Sequence, residues 1–388
     1  MDIIFDVIVI GIGAMGSATV YQLSKIPNLK ILGIDQFSPP HIYGSSHGET
    51  RIIRQIYFEH PNYVPLVKKS YPMWKELENE AKTQLFVNSG GIYIGEEGYR
   101  LMNGLKLTAK EHNFEINIMK SNEIMEKFPA FRVPEKMVGI YDPTAGILFP
   151  EKCIEAFISG AENRGAVFNF GEKVLDIKSD TTHEKVITNK GIYNAKKVII
   201  TAGAYVTVLL KDLQLPLKVE KKKIFWMEPV KEFAQNFTVE KMPIFLIEDE
   251  ETKIQLYGFP NVLGTGVKSA MHVNKGDNIQ DVYKIDRTID DNDVEEFKSR
   301  ISAYLPNVFG KLNKSSVCMY TMTPDEHFII DFIPKNKRII LASPCSGHGF
   351  KFSIIIGEIL KDLAIKGESE FDLSLFSLNR KILINSKL

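Results

Sequence analysis

The sequence predicts a mixed α/β fold, with α+β character, that is divided into two domains. Three observations support this fold class: a glycine turn joins a strand to a helix near the N-terminus, a long central region is rich in strands, and a second glycine loop precedes a helix near the C-terminus. The 388 residues also exceed what one hydrophobic core usually organises. We therefore expect the segments of one domain to be interrupted by segments of the other.

The individual elements follow from apolar periodicity and from the residues that begin and end helices. The predicted elements are a βαβ unit (strand 7–10, helix 14–25, strand 31–35), an amphipathic helix over 62–82, a helix from Pro150 to Gly165, an antiparallel meander with a buried strand over 174–205, a strand-rich region over 218–320 with one helix, and a helix over 350–367.

The glycine turn of the βαβ unit carries the first functional signal. Gly11, Gly13 and Gly16 form the pattern G-x-G-x-x-G, in which glycines allow a tight turn, approach of the backbone to a pyrophosphate, and close packing of helix on strand. Asp35 ends the next strand, where a carboxylate accepts hydrogen bonds from ribose hydroxyls. The pattern predicts a bound dinucleotide; the alternative is a tight turn without a ligand.

The order of the later segments favours FAD over NAD as that dinucleotide. An NAD dehydrogenase usually continues into alternating strands and helices, whereas this chain leaves the βαβ unit for a Gly/Ser/His/Arg loop. It returns late with a second glycine loop that contains Gly347, His348 and Gly349. The prediction is an interrupted Rossmann-like FAD-binding domain of the glutathione-reductase-like type plus an antiparallel-sheet substrate domain.

The segments assigned to the FAD-binding domain are 1–85, 141–217 and 321–388, and those assigned to the substrate domain are 86–140 and 218–320.

Several charged residues lie where local structure does not explain them. Arg51 and Arg54 flank two isoleucines, so at least one is predicted to lie against the core as an anion site; the alternative is two surface arginines. Lys351 lies at or just before the first turn of the C-terminal helix, where a cation opposes the helix dipole, which suggests an external anion; the alternative is a lysine in solvent. Lys268 is uninformative by itself, and His272 has no companions for a metal, so we expect no metal site.

Charge and composition restrict the partners. Lys plus Arg equals Asp plus Glu at 48 each, so no net field favours nucleic acid or anionic lipid. The Lys-rich segment 217–225 is predicted to be a solvated strand edge. No apolar run reaches the roughly 18 residues of a membrane span.

The termini and the cysteines bear on localisation. The N-terminus shows no secretory signal, and the cysteines are only Cys153, Cys318 and Cys345, so we expect a cytoplasmic protein. The last three residues, Ser386, Lys387 and Leu388, match a peroxisomal signal, which is the alternative if the source is eukaryotic.

Three further stretches make the sequence similar to one known family. They are "SPPHIYGSSHGETRIIRQIY", "VCMYTMTPDEHFIID" and "SGHGFKFSIIIGEIL". With the glycine turn, they resemble the family of monomeric sarcosine oxidase and N-methyltryptophan oxidase, amine-oxidising flavoproteins related to D-amino acid oxidase. The matching stretches span almost the whole chain in the order of the family.

The resemblance implies roles that the residues alone left open. Cys318, which composition alone would make a buried hydrophobe, would be joined to FAD by a covalent thioether. Arg54 and Lys351 would hold the substrate carboxylate, and Lys268 would help to activate O2. The resemblance also places Arg51 and His47 beside the flavin ring as electrostatic elements, and Tyr257, His272 and Tyr320 in the wall of the substrate pocket.

The reaction implied by the resemblance is oxidation of a secondary amino acid by a monomeric enzyme. Hydride passes to the flavin, the imine is hydrolysed, and O2 reoxidises the flavin to give H2O2; sarcosine would yield glycine and formaldehyde. Ser46, Pro344 and the segment 247–260 depart from the family pattern and bear on specificity. The alternatives are N-methyltryptophan, pipecolate or another cyclic amino acid as substrate, an NAD-linked dehydrogenase, and a nucleotide-binding module without turnover.

Overall fold

The structure is a computed structural model that describes residues 3–272, 278–343 and 345–385. Within these ranges the strands are β1 (Ile4–Ile10), β2 (Ile31–Ile34), β3 (Arg51–Ile53), β4 (Phe86–Asn88), β5 (Gly91–Glu96), β6 (Ile118–Lys120), β7 (Met137–Asp142), β8 (Gly146–Leu148), β9 (Val167–Asn169), β10 (Val174–Ser179), β11 (Glu184–Thr188), β12 (Ile192–Ile200), β13 (Lys218–Glu228), β14 (Ile244–Asp249), β15 (Ile254–Phe259), β16 (Val267–Met271), β17 (Asn278–Ile279), β18 (Lys311–Met322), β19 (Ile330–Ile333) and β20 (Asn336–Ala342).

The helices in the same ranges are α1 (Ala14–Ser24), α2 (Tyr63–Ala81), α3 (Arg100–His112), α4 (Ser121–Lys127), α5 (Pro150–Glu162), α6 (Val206–Leu209), α7 (Asp291–Ser302), α8 (Ser353–Ile365) and α9 (Lys381–Asn385). Each helix named in the sequence prediction is present, and the mixed α/β fold class is confirmed. None of these helices is long and apolar enough to cross a membrane.

An eight-stranded sheet contains the N-terminal βαβ unit. Its parallel part runs in the order β9, β2, β1, β12, β20, and β10, β11 and β19 add antiparallel strands. Helix α1 packs against α5 and α8. Close packing requires glycine, because a Cβ on Gly357 of α8 would lie 2.6 Å from the backbone of Ala18 in α1.

A nine-stranded sheet forms the second layer. The order is β17, β13, β16, β15, β14, β5, β7, β6, with β18 paired to β13. Neighbours are antiparallel except for β14 and β5, which are parallel. The parallel pair is a departure from the predicted antiparallel sheet, and it joins two strands that are distant in sequence.

The prediction of a solvated strand edge over residues 217–225 is wrong. Strand β13 pairs with β18 along one side and with β16 and β17 along the other, so it lies inside the sheet. Lys222, in the middle of this strand, is only 1% exposed. The lysine-rich composition indicated solvent, but the long-range pairing of the strand decides its burial.

Strands β3, β8 and β4 form a small third sheet. Along the chain, these strands lie between strands of the two larger sheets. Because β3 pairs with β8, it fixes the backbone of Arg51 and of the loop that continues to Arg54. The domain boundaries stay a prediction. Pro344 and the terminal Ser386, Lys387 and Leu388 lie outside the described residues.

Candidate active site

A cavity of about 490 Å³ brings most of the predicted site residues together. It is lined by Gly11, Gly13, Asp35, Arg51, Arg54, Tyr257, His272, Cys318, Tyr320, Gly347, His348, Gly349 and Lys351, among others. Three predicted residues lie behind this lining: Gly16 is in α1, and His47 and Lys268 are buried in the wall. The cavity therefore runs from the glycine turn at one end to the two cations Arg54 and Lys351.

The glycine turn has the geometry that a dinucleotide requires. Gly11 has a φ of +89°, and a Cβ there would lie 2.8 Å from Cα of Ala202. A Cβ on Gly16 would lie 1.8 Å from the carbonyl oxygen of Gly11, so the helix can approach the strand only without a side chain. These constraints are the ones that the pattern predicts for a turn facing a pyrophosphate.

Asp35 braces this turn from the end of β2. Its Oδ2 accepts a hydrogen bond from the N–H of Ile12 at 2.7 Å, and its Oδ1 accepts one from the N–H of Phe37 at 2.8 Å. Burial raises the pKa of Asp35, and the two backbone donors oppose that rise. Each oxygen has a further lone pair for a ribose hydroxyl, so the residues present fit the adenosine half of FAD.

Arg51 fixes the loop that faces Cys318. Its Nη2 donates to the carbonyl oxygens of His47 at 2.5 Å and Ser45 at 2.8 Å, and its Nη1 donates to that of Thr50 at 2.8 Å. Sγ of Cys318, in β18, lies 3.6 Å from the carbonyl oxygen of Ser45 and 4.0 Å from Nη2 of Arg51. The thiol is thus buried at the cavity, beside a cation.

Lys268 is also held by this loop. Its Nζ donates to the carbonyl oxygens of Gly48 at 2.6 Å and Thr50 at 2.7 Å, and to the Thr50 hydroxyl at 3.1 Å. Burial, reinforced by the charge of Arg51, places the pKa of Lys268 well below its ordinary value. The carboxylate of Glu151 accepts from the N–H of Gly48 at 2.7 Å, so the loop is held between a cation and an anion.

His47 lies deep in this wall. Nε2 of His47 has no hydrogen-bond partner in the part of the chain that the structure describes. Burial, together with the nearby charge of Arg51, lowers the pKa of His47 to about 3, so the ring is neutral.

Arg54 is paired with a carboxylate that the sequence analysis did not identify. Its Nη2 donates to both oxygens of Glu59, at 2.6 and 2.7 Å, and its Nη1 donates to the carbonyl oxygen of Ile56 at 3.0 Å. Burial alone would raise the pKa of Glu59, but the charge of Arg54 outweighs it and the pKa is about 2. The available signal was an acid five residues after Arg54 in the same loop.

Lys351 is buried next to this pair. It is 4% exposed, which excludes the alternative of a lysine in solvent. Its Nζ donates to the carbonyl oxygen of His348 at 2.6 Å and lies 3.4 Å from the Tyr57 hydroxyl. Burial, and then the charge of Arg54, lowers the pKa of Lys351 to about 7.

Both ring nitrogens of His348 form hydrogen bonds within the protein. Burial lowers its pKa to about 3, so the imidazole is neutral. Its Nε2 lies 3.0 Å from the carbonyl oxygen of Glu326 and must donate to it, which leaves Nδ1 to accept from the Tyr57 hydroxyl at 2.5 Å. His348 therefore orients Tyr57 beside Lys351.

Two tyrosines and a histidine form another wall. The hydroxyl of Tyr320 lies 3.5 Å from Nδ1 of His272, and the ring of Tyr257 meets that of His272 edge to face. Burial, and then the charge of Lys222, lowers the pKa of His272 to about 4. Gly347 has a φ of +82°, and a Cβ there would lie 2.4 Å from the ring of Tyr320, so this position needs glycine.

No group of three or more metal-ligating side chains occurs among residues 3–272, 278–343 and 345–385. The cavity instead combines a dinucleotide turn, a buried thiol, a buried amine and two cations suited to a carboxylate. This arrangement can hold a redox cofactor against an anionic substrate.

Comparison with known proteins gives three findings. The family described as "FAD dependent oxidoreductase" (DAO) matches residues 6–363. The chain is 37% identical over 385 residues to monomeric sarcosine oxidase from Bacillus sp. (strain B-0618), covering 98% of this chain and 97% of the relative. It is 34% identical over 379 residues to N-methyl-L-tryptophan oxidase from Yersinia pestis (strain Pestoides F), covering 97% and 99%.

Among solved structures, the chain is similar to NikD, described as an unusual amino acid oxidase essential for nikkomycin biosynthesis. The TM-score is 0.84 at 21% identity, and the match covers 96% of this chain and 97% of that chain. At this identity the similarity shows the fold alone.

Proposed function

The chain belongs to the family of FAD-dependent oxidoreductases that includes monomeric sarcosine oxidase and N-methyl-L-tryptophan oxidase, and we propose that it oxidises N-methyl and other secondary amino acids. The observation that carries this proposal is the cavity that leads from the dinucleotide turn to Arg54 and Lys351. An NAD-linked dehydrogenase would leave the thiol of Cys318 and the buried amine of Lys268 without a role.

The residues present fit FAD. Gly11 and Asp35 would hold the adenosine diphosphate half, and the loop of Gly347 and Gly349 would face the flavin half. When bound, FAD accepts hydride from the substrate and returns the electrons to O2 with formation of H2O2.

Cys318 is our proposed point of covalent attachment. The link would form a C–S bond in place of one S–H bond of Cys318 and one C–H bond of a ring methyl group of FAD, with the two electrons released passing to O2. The support is the location of the thiol: it is 2% exposed in the cavity wall, and its Sγ lies 4.0 Å from Nη2 of Arg51.

Arg54 and Lys351 bind the substrate carboxylate in this account. Arg54 already binds a carboxylate, since its Nη2 donates to both oxygens of Glu59, and Lys351 adds a second donor. The amine must be unprotonated before hydride can leave. Arg51, which lines the cavity, favours that neutral form, because a nearby cation disfavours an ammonium.

Lys268 assists the reaction with O2. Its amine is anchored by acceptors of Gly48 and Thr50, so in its protonated form it needs little reorganisation to stabilise negative charge that develops on oxygen. His272 and Tyr257 shape the pocket.

The apolar side of the cavity favours substrates larger than sarcosine as a second candidate. Its apolar lining includes Phe58, Leu101, Leu246, Leu256 and Phe259. Such a wall stabilises an indole or a saturated ring by burial of apolar surface. N-methyltryptophan and pipecolate are therefore alternatives within the same reaction.

A peroxide assay across sarcosine, N-methyltryptophan, proline and pipecolate tests the proposal. We expect H2O2 to form with at least one of them, and formaldehyde to accompany it when the substrate carries an N-methyl group. Absence of peroxide with all four, from protein that retains its flavin, would refute the proposed function. We also infer a monomer, because the Bacillus relative is named as monomeric.

A further inference from the structure

Lys222 is a buried cation in the middle of β13. It is 1% exposed, and its Nζ lies 2.8 Å from Oε2 of Glu220. Its neighbour Lys221 points to the opposite face, where Nζ donates to the carbonyl oxygen of Thr288 at 3.1 Å. Burial of an ammonium is costly even when it is paired with a carboxylate, so Lys222 needs an explanation that its neighbour does not.

Strand pairing places Lys222 on the cavity face of the sheet. In the β13–β18 ladder, Lys222 is opposite Cys318 and Glu220 is opposite Tyr320. Directly opposite residues of an antiparallel pair point to the same face. Nζ of Lys222 lies 5.1 Å from the centroid of the Tyr320 ring, within the range of a cation–π interaction.

The ring of Tyr320 is held from two sides. Lys222 lies over it, and the backbone of Gly347 approaches it so closely that a Cβ would be 2.4 Å away. The hydroxyl of the same ring meets Nδ1 of His272 at 3.5 Å. A continuous series of contacts therefore runs from Glu220 through Lys222 and Tyr320 to His272.

We propose that Lys222, anchored by Glu220, is a positioning residue for the substrate cavity: it fixes the ring of Tyr320 and, through that ring, the imidazole of His272. The inference rests on the proposed function, since it assigns Tyr320 and His272 to the wall that the substrate contacts. It adds a residue that touches neither substrate nor cofactor.

The charge of Lys222 also acts on His272. An ammonium close to an imidazole disfavours the imidazolium, so the wall next to the reacting amine stays neutral. The charged and titratable groups that act on His272 or contact its ring are Lys222, Arg100, Glu59, Glu326, Tyr320 and Tyr257. The cations Lys222 and Arg100 lower the pKa of His272, whereas the carboxylates Glu59 and Glu326 raise it.

Three variants of the flavin-loaded enzyme test this inference by steady-state kinetics. Lys222→Met removes the charge, and we expect KM for the best secondary amino acid to rise about tenfold with a smaller change in kcat. Lys222→Arg keeps the charge and the stacking on an aromatic face, so we expect less than about a threefold change. Lys221→Met is the matched control on the opposite face of the same strand and should behave as wild type.

Histidine NMR of the same holoproteins provides a readout that needs no turnover. With labelled histidine, and with a His272→Asn variant to assign the signal, the pKa of His272 should rise in Lys222→Met and stay near wild type in Lys222→Arg. If the wild type oxidises no secondary amino acid, the proposed function fails, and this titration still tests the placement of Lys222.

The inference is overturned if Lys222→Met binds FAD and keeps both the wild-type KM and the wild-type titration of His272. A loss of flavin content with normal kinetics per bound flavin would likewise show a structural role alone. If Lys222→Met fails to fold, Lys222→Gln replaces it, because glutamine can still donate to Glu220 but carries no charge; the same two outcomes then apply.

Discussion

Nη2 of Arg54 lies 2.6 and 2.7 Å from the two carboxylate oxygens of Glu59. Both side chains are buried, with 3% of Arg54 and 7% of Glu59 exposed. The guanidinium that we assign to the substrate carboxylate is therefore already bound to a carboxylate of the protein. Substrate must compete with Glu59 for part of this contact.

Glu59→Gln should strengthen substrate binding. The amide keeps the shape of the side chain but loses the charge that holds Arg54, so KM should fall about threefold to tenfold with kcat little changed. Steady-state kinetics measure this, with Glu155→Gln, which changes an exposed acid of α5, as the control. An increase in KM would show that Glu59 orients Arg54 and does not compete with the substrate.

Binding of a carboxylate inhibitor should weaken as the pH rises through about 7. The pKa of Lys351 is lowered to about 7 by burial and by Arg54, so its ammonium is present below that pH and is lost above it. Only the protonated amine attracts an anion, so Kd for an aliphatic carboxylate should rise towards tenfold per pH unit above the transition. Flavin difference spectra report this Kd.

Lys351→Met should bind the inhibitor weakly at every pH, without the pH dependence of the wild type. If this variant keeps the wild-type Kd and its pH dependence, Lys351 does not bind the carboxylate.

Lys268→Met should separate the two halves of the reaction. Substrate should still reduce the flavin, but reoxidation by O2 should slow by about a hundredfold, because a preorganised cation is lost from the place where charge develops. Stopped-flow absorbance measures each half separately. Lys314→Met, which removes an ammonium that lies over the Trp226 ring from outside the cavity, is the control. Unchanged reoxidation in Lys268→Met would refute the assigned role.

Cys318→Ser should release the flavin on acid denaturation. Wild-type protein should keep its yellow colour in the acid precipitate, and Cys153→Ser should do the same, because Cys153 is buried in α5 and does not line the cavity. The serine variant should fold and hold FAD non-covalently. Colour retained in its precipitate would place the link on another residue.

The sequence predicted the structure well where an element depends on residues that are adjacent in the chain. The βαβ unit follows from apolar periodicity and from Gly11, Gly13 and Gly16, whose roles are set by neighbouring backbone. The position of Lys351 beside the C-terminal helix predicts an external anion, and its burial excludes the alternative of a lysine in solvent. Such signals depend on a few adjacent residues.

The sequence was uninformative where burial depends on distant pairing. Lys222 belongs to strand β13, which pairs with β16, β17 and β18, and no pattern in the neighbouring sequence identifies those pairing partners. Glu59 was missed for a related reason: an acid near an arginine is common at surfaces, and only the folded loop shows that both are buried. The placement of Lys268 behind the loop of Gly48 and Thr50 likewise required the structure.

Anaerobic mixing of the purified yellow protein with a secondary amino acid tests the central claim most directly. We predict that the absorbance of oxidised flavin disappears with one or more of sarcosine, N-methyltryptophan, proline and pipecolate, and that it returns when O2 is admitted. If the flavin stays oxidised with all four substrates, the chain is not an oxidase of secondary amino acids.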